Sequence, residues 1–85
     1  MDKEDLIEPL AEYEHDRWAR WQKHLFSKCI VNEDKSLTIP KEYVDRWARQ
    51  MNTRYCNLDD DEKESDRLEA IRMLNVIERN TNNKE

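Results

Sequence analysis

Two copies of one pentapeptide carry most of the chemistry available to this chain: Asp16-Arg17-Trp18-Ala19-Arg20 and Asp45-Arg46-Trp47-Ala48-Arg49. A Glu-Tyr pair lies upstream of each, Glu12-Tyr13 and Glu42-Tyr43. Each copy reads as one helical turn with an aromatic ring inside and an Asp/Arg/Arg fringe at the rim. Rings beside guanidinium groups are the equipment for stacking a base and holding its phosphate. The same residue types anchor protein interfaces. The middle of the chain offers Arg17, Arg20, Arg46 and Arg49 as cations, with Trp18, Trp47 and Tyr55 as π-faces. Lys63 and Arg67 stand near the start of a third helix, whose free amides favour anions. This convergence predicts a binding site for an anionic, ring-bearing ligand, most simply a nucleotide-derived small molecule.

Catalytic patterns are not legible. No Ser–His–Asp or Cys–His arrangement can be read, and no pair of carboxylates stands out from the general acidity. The expectation is a protein that is not an enzyme. With no glycine in 85 residues, there is no glycine-rich phosphate loop and no dinucleotide fingerprint. A phosphate would have to be held by Arg and Lys side chains or by a helix N-terminus. His24 and Cys29 make a poor metal pair, because a spacing of five does not place both on one helix face. Asp59-Asp60-Asp61-Glu62 lacks the alternation and the glycine of a calcium loop and reads better as a helix start. Neither a metal nor a cofactor is expected.

The elements that position these residues follow from periodicity. The first helix is predicted over about 5–28, with Ile7, Leu10 or Ala11, Trp18, Trp21, Leu25 and Cys29 on one face and Glu14 in the middle of that stripe. Trp18 and Trp21 read as core first and as ligand contacts second. His15, three residues before Trp18, reads as a hydrogen-bonded structural residue first and a ligand contact second; His24 reads as surface. Residues 29–39 read as two short β-favouring runs around a polar turn, a hairpin or an irregular loop. The second helix is predicted over about 40–52, with Pro40 early and Asn52 as a left-handed terminator. The third, over about 59–79, opens on Asp59 with Glu62 as its capping-box partner. Its inner face is predicted to hold Ala70, Ile71, Leu74 and Ile77, and backward along that face Arg67 and Lys63. Glu14 should then pair across the helices with Arg67 or Lys63. The fold class is mainly α, a single domain over 1–79 of three helices and a short hairpin or loop, with 80–85 a frayed tail.

Charge and composition bound the partners. The formal net charge of −5 divides into −6 over residues 1–16, +5 over 17–54 and −4 over 55–85. A basic middle is a candidate anion-binding face, while acidic ends weigh against nucleic acid. Seven aromatic side chains supply the buried area that disordered chains lack. Two distant cysteines without a CxxC suggest a reduced, cytoplasmic chain with two buried thiols, and no apolar run approaches a membrane span.

Leu10-Ala11-Glu12-Tyr13-Glu14-His15-Asp16-Arg17-Trp18 resembles the Leu-Ala-Glu-x-x-His-x-x-Trp opening of the ryanodine receptor (RyR) domain. Tyr55-Cys56-Asn57-Leu58, then Glu62-Lys63 and Asp66-Arg67, are similar to that family's Tyr-x-x-Leu followed by Lys and Asp-Arg. Order and spacing agree over roughly Leu6 to Leu74; the Gly-Trp and Tyr-Gly segment often found after the family's first helix has no counterpart here. The resemblance implies a small, mainly helical domain with a short hairpin, found in calcium-release channels and as free-standing modules in bacteria and phages. Carried over by position, its motif residues are Glu12, His15, Trp18, Tyr55, Lys63, Asp66 and Arg67. For the prokaryotic members it implies sensing of nucleotide-derived molecules, and a free-standing domain with no enzymatic partner would fit sequestering such a signal. A fold does not carry an activity with it. The other readings are an acidic protein-interaction module or inhibitor, and a structural domain of a larger assembly.

Overall fold

A computed structural model describes residues 3–82. A 3₁₀ turn at Lys3–Leu6 leads into α1, Ile7–Lys28. Pro9 is accommodated because it lies in the first turn, where the N–H groups have no partner within the helix. Cys29 leaves the helix in an extended conformation, its N–H donating to Phe26 O at 3.2 Å and its thiol to Leu25 O at 3.2 Å. Strands β1, Ile30–Val31, and β2, Leu37–Thr38, form an antiparallel hairpin with Ile30 opposite Thr38 and Val31 opposite Leu37. Helix α2 covers Lys41–Met51, a 3₁₀ turn covers Tyr55–Asn57, and α3 covers Asp60–Asn82. The mainly α, three-helix architecture with a hairpin between the first two helices is therefore the one the spacing predicts.

The hairpin turn shows how a chain without glycine makes a tight reversal. Lys35 takes the left-handed conformation with φ 75°. Side chains hold the turn around it. Asp34 Oδ1 accepts from the Ser36 N–H at 3.0 Å, and Asn32 Nδ2 donates to Ser36 Oγ and Thr38 Oγ1, each at 3.0 Å. Asn52, expected to be a left-handed terminator, has φ −99° instead. Its N–H donates to Ala48 O and Arg49 O at 3.2 Å and its side chain to Ala48 O at 2.7 Å, which closes the helix without a positive φ.

Pro40, with φ −57°, stands immediately before α2, and its carbonyl accepts from the Tyr43 and Val44 N–H groups. At the head of α3, the Asp59 N–H donates to Glu62 Oε1 at 3.3 Å, the return arm of a capping box. Helix α3 continues to Asn82, three residues past the predicted end. Asn80 and Thr81 bond back to the carbonyls of Val76 and Ile77, so these polar residues stay helical. The rest of the predicted frayed tail, 83–85, lies outside the described residues.

Helices α1 and α3 run antiparallel side by side. Tyr13 meets Glu69, while Trp21 and His24, further along α1, share clefts with Ser65 and Asp61, further back on α3. The face that α3 turns inward is not the predicted apolar stripe. Glu62 (7% exposed) and Val76 (5% exposed) are its buried residues, with Glu69 half-buried between them at helical spacing. At about 100° per residue the centre of this face lies more than a third of a turn from that of the Ala70, Ile71 and Leu74 stripe. Leu68, Ile71 and Leu74 are 47%, 51% and 55% exposed.

The same rotation removes the predicted pair between Glu14 and Arg67. Glu14 bonds Arg17 one turn along α1 at 2.8 Å, and Arg67 bonds Glu64 one turn back on α3 at 3.3 Å. Lys63 lies over the Tyr55 ring. All four partners of the two local pairs are at least 41% exposed, so neither crosses the helix interface.

The pairs that do cross it come from the pentapeptide repeat. The last arginine of the first copy, Arg20, bonds Glu69 at 2.9 Å. The last arginine of the second copy, Arg49, bonds Glu62 at 2.5 Å. These glutamates are seven residues apart on α3, two turns on one face. The repeat is thus a docking device, each copy fixing its helix to the same side of α3.

Candidate functional site

Three helices converge around an edge-to-face pair of tryptophans. Trp21 on α1 and Trp47 on α2 have ring centroids 5.5 Å apart at 71°, a preferred aromatic geometry. Helical spacing supplies the flanking rings: His24, three residues after Trp21, stacks on it at 5.3 Å, and Tyr43, four before Trp47, lies 5.3 Å from it. Lys28 Nζ sits 6.0 Å from the Tyr43 ring centre. On either side of this aromatic ridge the surface is concave.

The larger cleft, about 560 Å³, is bordered by Arg17, Arg20 and His24 from α1, Trp47 and Gln50 from α2, and Ser65, Asp66 and Glu69 from α3. The smaller, about 300 Å³, lies between Lys28, Tyr43, Arg46 and Trp47 on one side and Asp61, Glu62 and Ser65 on the other. Both volumes fall at or within the range of small-molecule sites.

The electrostatics of the clefts are ordered by their acids. Glu69 accepts from the Tyr13 hydroxyl, from Arg20 at 2.9 Å and from Arg72 at 2.8 Å. The tyrosine bond, then the two arginines, hold its carboxyl below the usual range. Burial and that same bond push the Tyr13 phenol up. Glu62 is held low first by Arg49, then by the Asp59 N–H and the nearby charge of Arg46. Both carboxylates are therefore ionised and already partnered. Arg46 itself makes no hydrogen bond or ion pair among the described residues, so its guanidinium remains available to the smaller cleft.

The sequence-predicted site residues separate into three places. Trp47 lines both clefts and Arg46 lines the smaller one. Tyr55, Lys63 and Arg67 form a group at the head of α3, outside both clefts, with Lys63 Nζ 5.8 Å from the Tyr55 ring centre. There Glu64, then Tyr55, hold Arg67 firmly protonated. His15 and Trp18 stack on each other at 6.2 Å and line neither cleft; Trp18 is 55% exposed. His24, which the sequence reads as surface, and Trp21, which it reads as core first and ligand contact second, both border the two clefts. Their three-residue spacing was a usable signal, since it places both rings on one side of α1. Gln50 and Ser65 carried no signal.

No His/Cys/Asp/Glu cluster among the described residues could hold a metal ion. Both cysteines are free thiols; Cys29 is half-buried, whereas Cys56, expected to be buried, is exposed. No described helix is long and apolar enough to cross a membrane. No protein family, no curated protein and no solved structure matches the chain.

Proposed function

We propose that the chain is a non-catalytic binding module whose aromatic ridge and adjoining clefts take an anionic, ring-bearing small molecule of the nucleotide class. The observation that carries this reading is the Trp21–Trp47 pair with His24 and the unpaired Arg46 around it. A base finds π-faces at the ridge, and its phosphate finds Arg46 and Lys28 in the smaller cleft. Gln50 and Ser65 border both clefts and can hydrogen-bond a base edge or a sugar hydroxyl. The partnered state of Glu62 and Glu69 supports the reading, because an acid neutralised by arginine repels an anion less than a bare one. The resemblance to the RyR domain points the same way, toward a sensor or sequestering protein of bacterial or phage type in the cytoplasm.

A thermal-shift and tryptophan-fluorescence screen against nucleotides and cyclic dinucleotides tests the proposal. Binding quenches the fluorescence, weakens as salt rises, and falls with Arg46→Ala and Trp47→Ala. If no member of the panel moves the melting temperature or the emission, the small-molecule reading is wrong. A protein-interaction role is the second reading, supported by the many large apolar side chains left at the surface, among them Ile7, Trp18, Phe26 and Ile71, each more than half exposed.

A further inference from the structure

The two clefts share the Trp21–Trp47 ridge yet differ in charge once the partnered groups are set aside. Around the larger one, Arg17 is matched by Glu14 and Arg20 by Glu69. What is left there is Asp66, whose carboxylate makes no hydrogen bond or ion pair among the described residues. Around the smaller one, Glu62 is matched by Arg49. Lys28 and Arg46, neither of them in an ion pair among the described residues, then stand against the unpartnered Asp61. His24 borders both clefts and does not distinguish them. The uncompensated charge is therefore negative in the larger cleft and positive in the smaller. A nucleotide on the ridge is given a direction by that difference: phosphate in the smaller cleft, base in the larger.

We infer that the base this site takes is guanine, an inference that rests on the nucleotide reading and sharpens it. An ionised carboxylate only accepts hydrogen bonds, and its two oxygens accept from a pair of neighbouring donors. Guanine alone among the common bases sets two donors side by side on its pairing edge, N1–H and the N2 amino group. Adenine and cytosine put a bare ring nitrogen beside their amino group, and uracil flanks its one N–H with carbonyls. Each of these meets a carboxylate with lone pair against lone pair. The neighbouring wall completes the match. Glu69, which holds the Arg20 guanidinium at 2.9 Å, is three residues along α3 from Asp66, so the cation and the free carboxylate stand one helical turn apart. Arg20 bonds Glu69 through Nη2, and its planar fork has further N–H groups to offer O6 and N7 of the same base. Trp21 and Trp47 line both clefts and supply the stacking surface between base and phosphate. Gln50 also borders both, but its amide carries a donor and an acceptor and does not choose among bases.

Proton–nitrogen chemical-shift titrations of the full chain measure the preference, with the indole N–H signals of Trp21 and Trp47 reporting contact. The probes are GMP, AMP, CMP and UMP, together with cyclic di-GMP and cyclic di-AMP. GMP should bind about tenfold tighter than AMP, the discrimination expected of one bidentate base contact. IMP, which lacks the N2 amino group, should fall between them. Asp66→Asn should abolish the preference for GMP and confer one for XMP, whose carbonyl at C2 accepts from the amide while its N1–H donates to the amide oxygen. Asp66 is exposed and unpartnered, so this variant should keep the wild-type melting midpoint and helical circular dichroism. Arg46→Ala should weaken GMP and AMP by the same factor, because it acts at the phosphate end. Equal affinity for the four mononucleotides leaves the nucleotide reading standing and overturns the choice of guanine. So does a GMP preference that survives Asp66→Asn, and one that Arg46→Ala removes overturns the placement of the base. IMP binding as tightly as GMP overturns the inference with no variant needed. If none of the probes moves a signal, the nucleotide reading itself fails and guanine falls with it.

Discussion

Replacing Glu69 with glutamine tests the central claim about how this fold is held. Among the described residues, Glu69 is the one acid that joins α1 to α3 through two residues at once, Tyr13 and Arg20, while Arg72 steadies it from its own helix. Glutamine keeps the shape and one acceptor oxygen, so the Tyr13 bond persists in a neutral form. It loses the charge. Arg20 and Arg72 are 47% and 51% exposed, so solvent screens both pairs and each contributes about 0.3–0.7 kcal/mol. A hydrogen bond to a charged group contributes about 1 kcal/mol more than a neutral one, which sets the loss at Tyr13. The sum is about 2 kcal/mol. For a domain of this size that lowers the melting midpoint by about 10 °C. Differential scanning calorimetry measures it, with Glu14→Gln as the control, since Glu14 pairs only along the surface of α1. Tyr13→Phe and the double variant complete a cycle in which the two sites couple. Equal midpoints for Glu69→Gln and Glu14→Gln would refute the claim that Glu69 ties the two long helices together.

Two further outcomes follow from the same structure. Glu62 and Glu69 have folded carboxyl values below the ordinary 4.5, so the stability they add is complete above that value and is lost as pH falls through the depressed ones. Urea midpoints of the wild type should hold down to about pH 5 and then decline, converging at low pH with those of the Glu62→Gln/Glu69→Gln variant; parallel curves would show that neither carboxylate is the cause. Lys35→Gly should raise the melting midpoint by a few degrees. A left-handed residue with a side chain costs about 1–2 kcal/mol, more than the extra entropy glycine brings to the unfolded chain; a fall would mean that Lys35 is not strained in the turn.

The helices were legible because their signals are local. Pro40, the Asp59–Glu62 capping pair and the three-four spacing of α1 mark boundaries within one or two residues of those observed. What was not legible is which side of α3 faces inward. An apolar stripe normally marks the core, and on α3 it runs through Ile71 and Leu74, yet the helix turns a row of Glu62, Glu69 and Val76 toward α1 and α2. The arginine at the end of each pentapeptide decides that rotation, through contacts between residues 49 and 13 positions apart. The candidate site suffered for the same reason. With α3 turned, Arg67 and Lys63 lie outside the clefts and Ser65 borders both. The tryptophans of the repeat have different fates, Trp18 stacking on His15 and Trp47 on Trp21; it is Arg20 and Arg49 that behave alike.

The unequal attachment of the three helices has a consequence for motion. Among the described residues, α2 reaches the long helices through a few side chains: the Trp47 ring on Trp21, the Arg49 bond to Glu62 and Tyr43 beneath Lys28. Segments held by so few contacts open at a fraction of the global free energy. Amide hydrogens of α2 should therefore exchange well before those in the middle of α1 and α3, in a local opening that carries the hairpin with it. Such an opening parts the two tryptophans and dismantles the aromatic ridge. Any molecule that rests on both rings would have to wait for that segment to close, or close it, and its residence time would be set by the breathing of eleven residues.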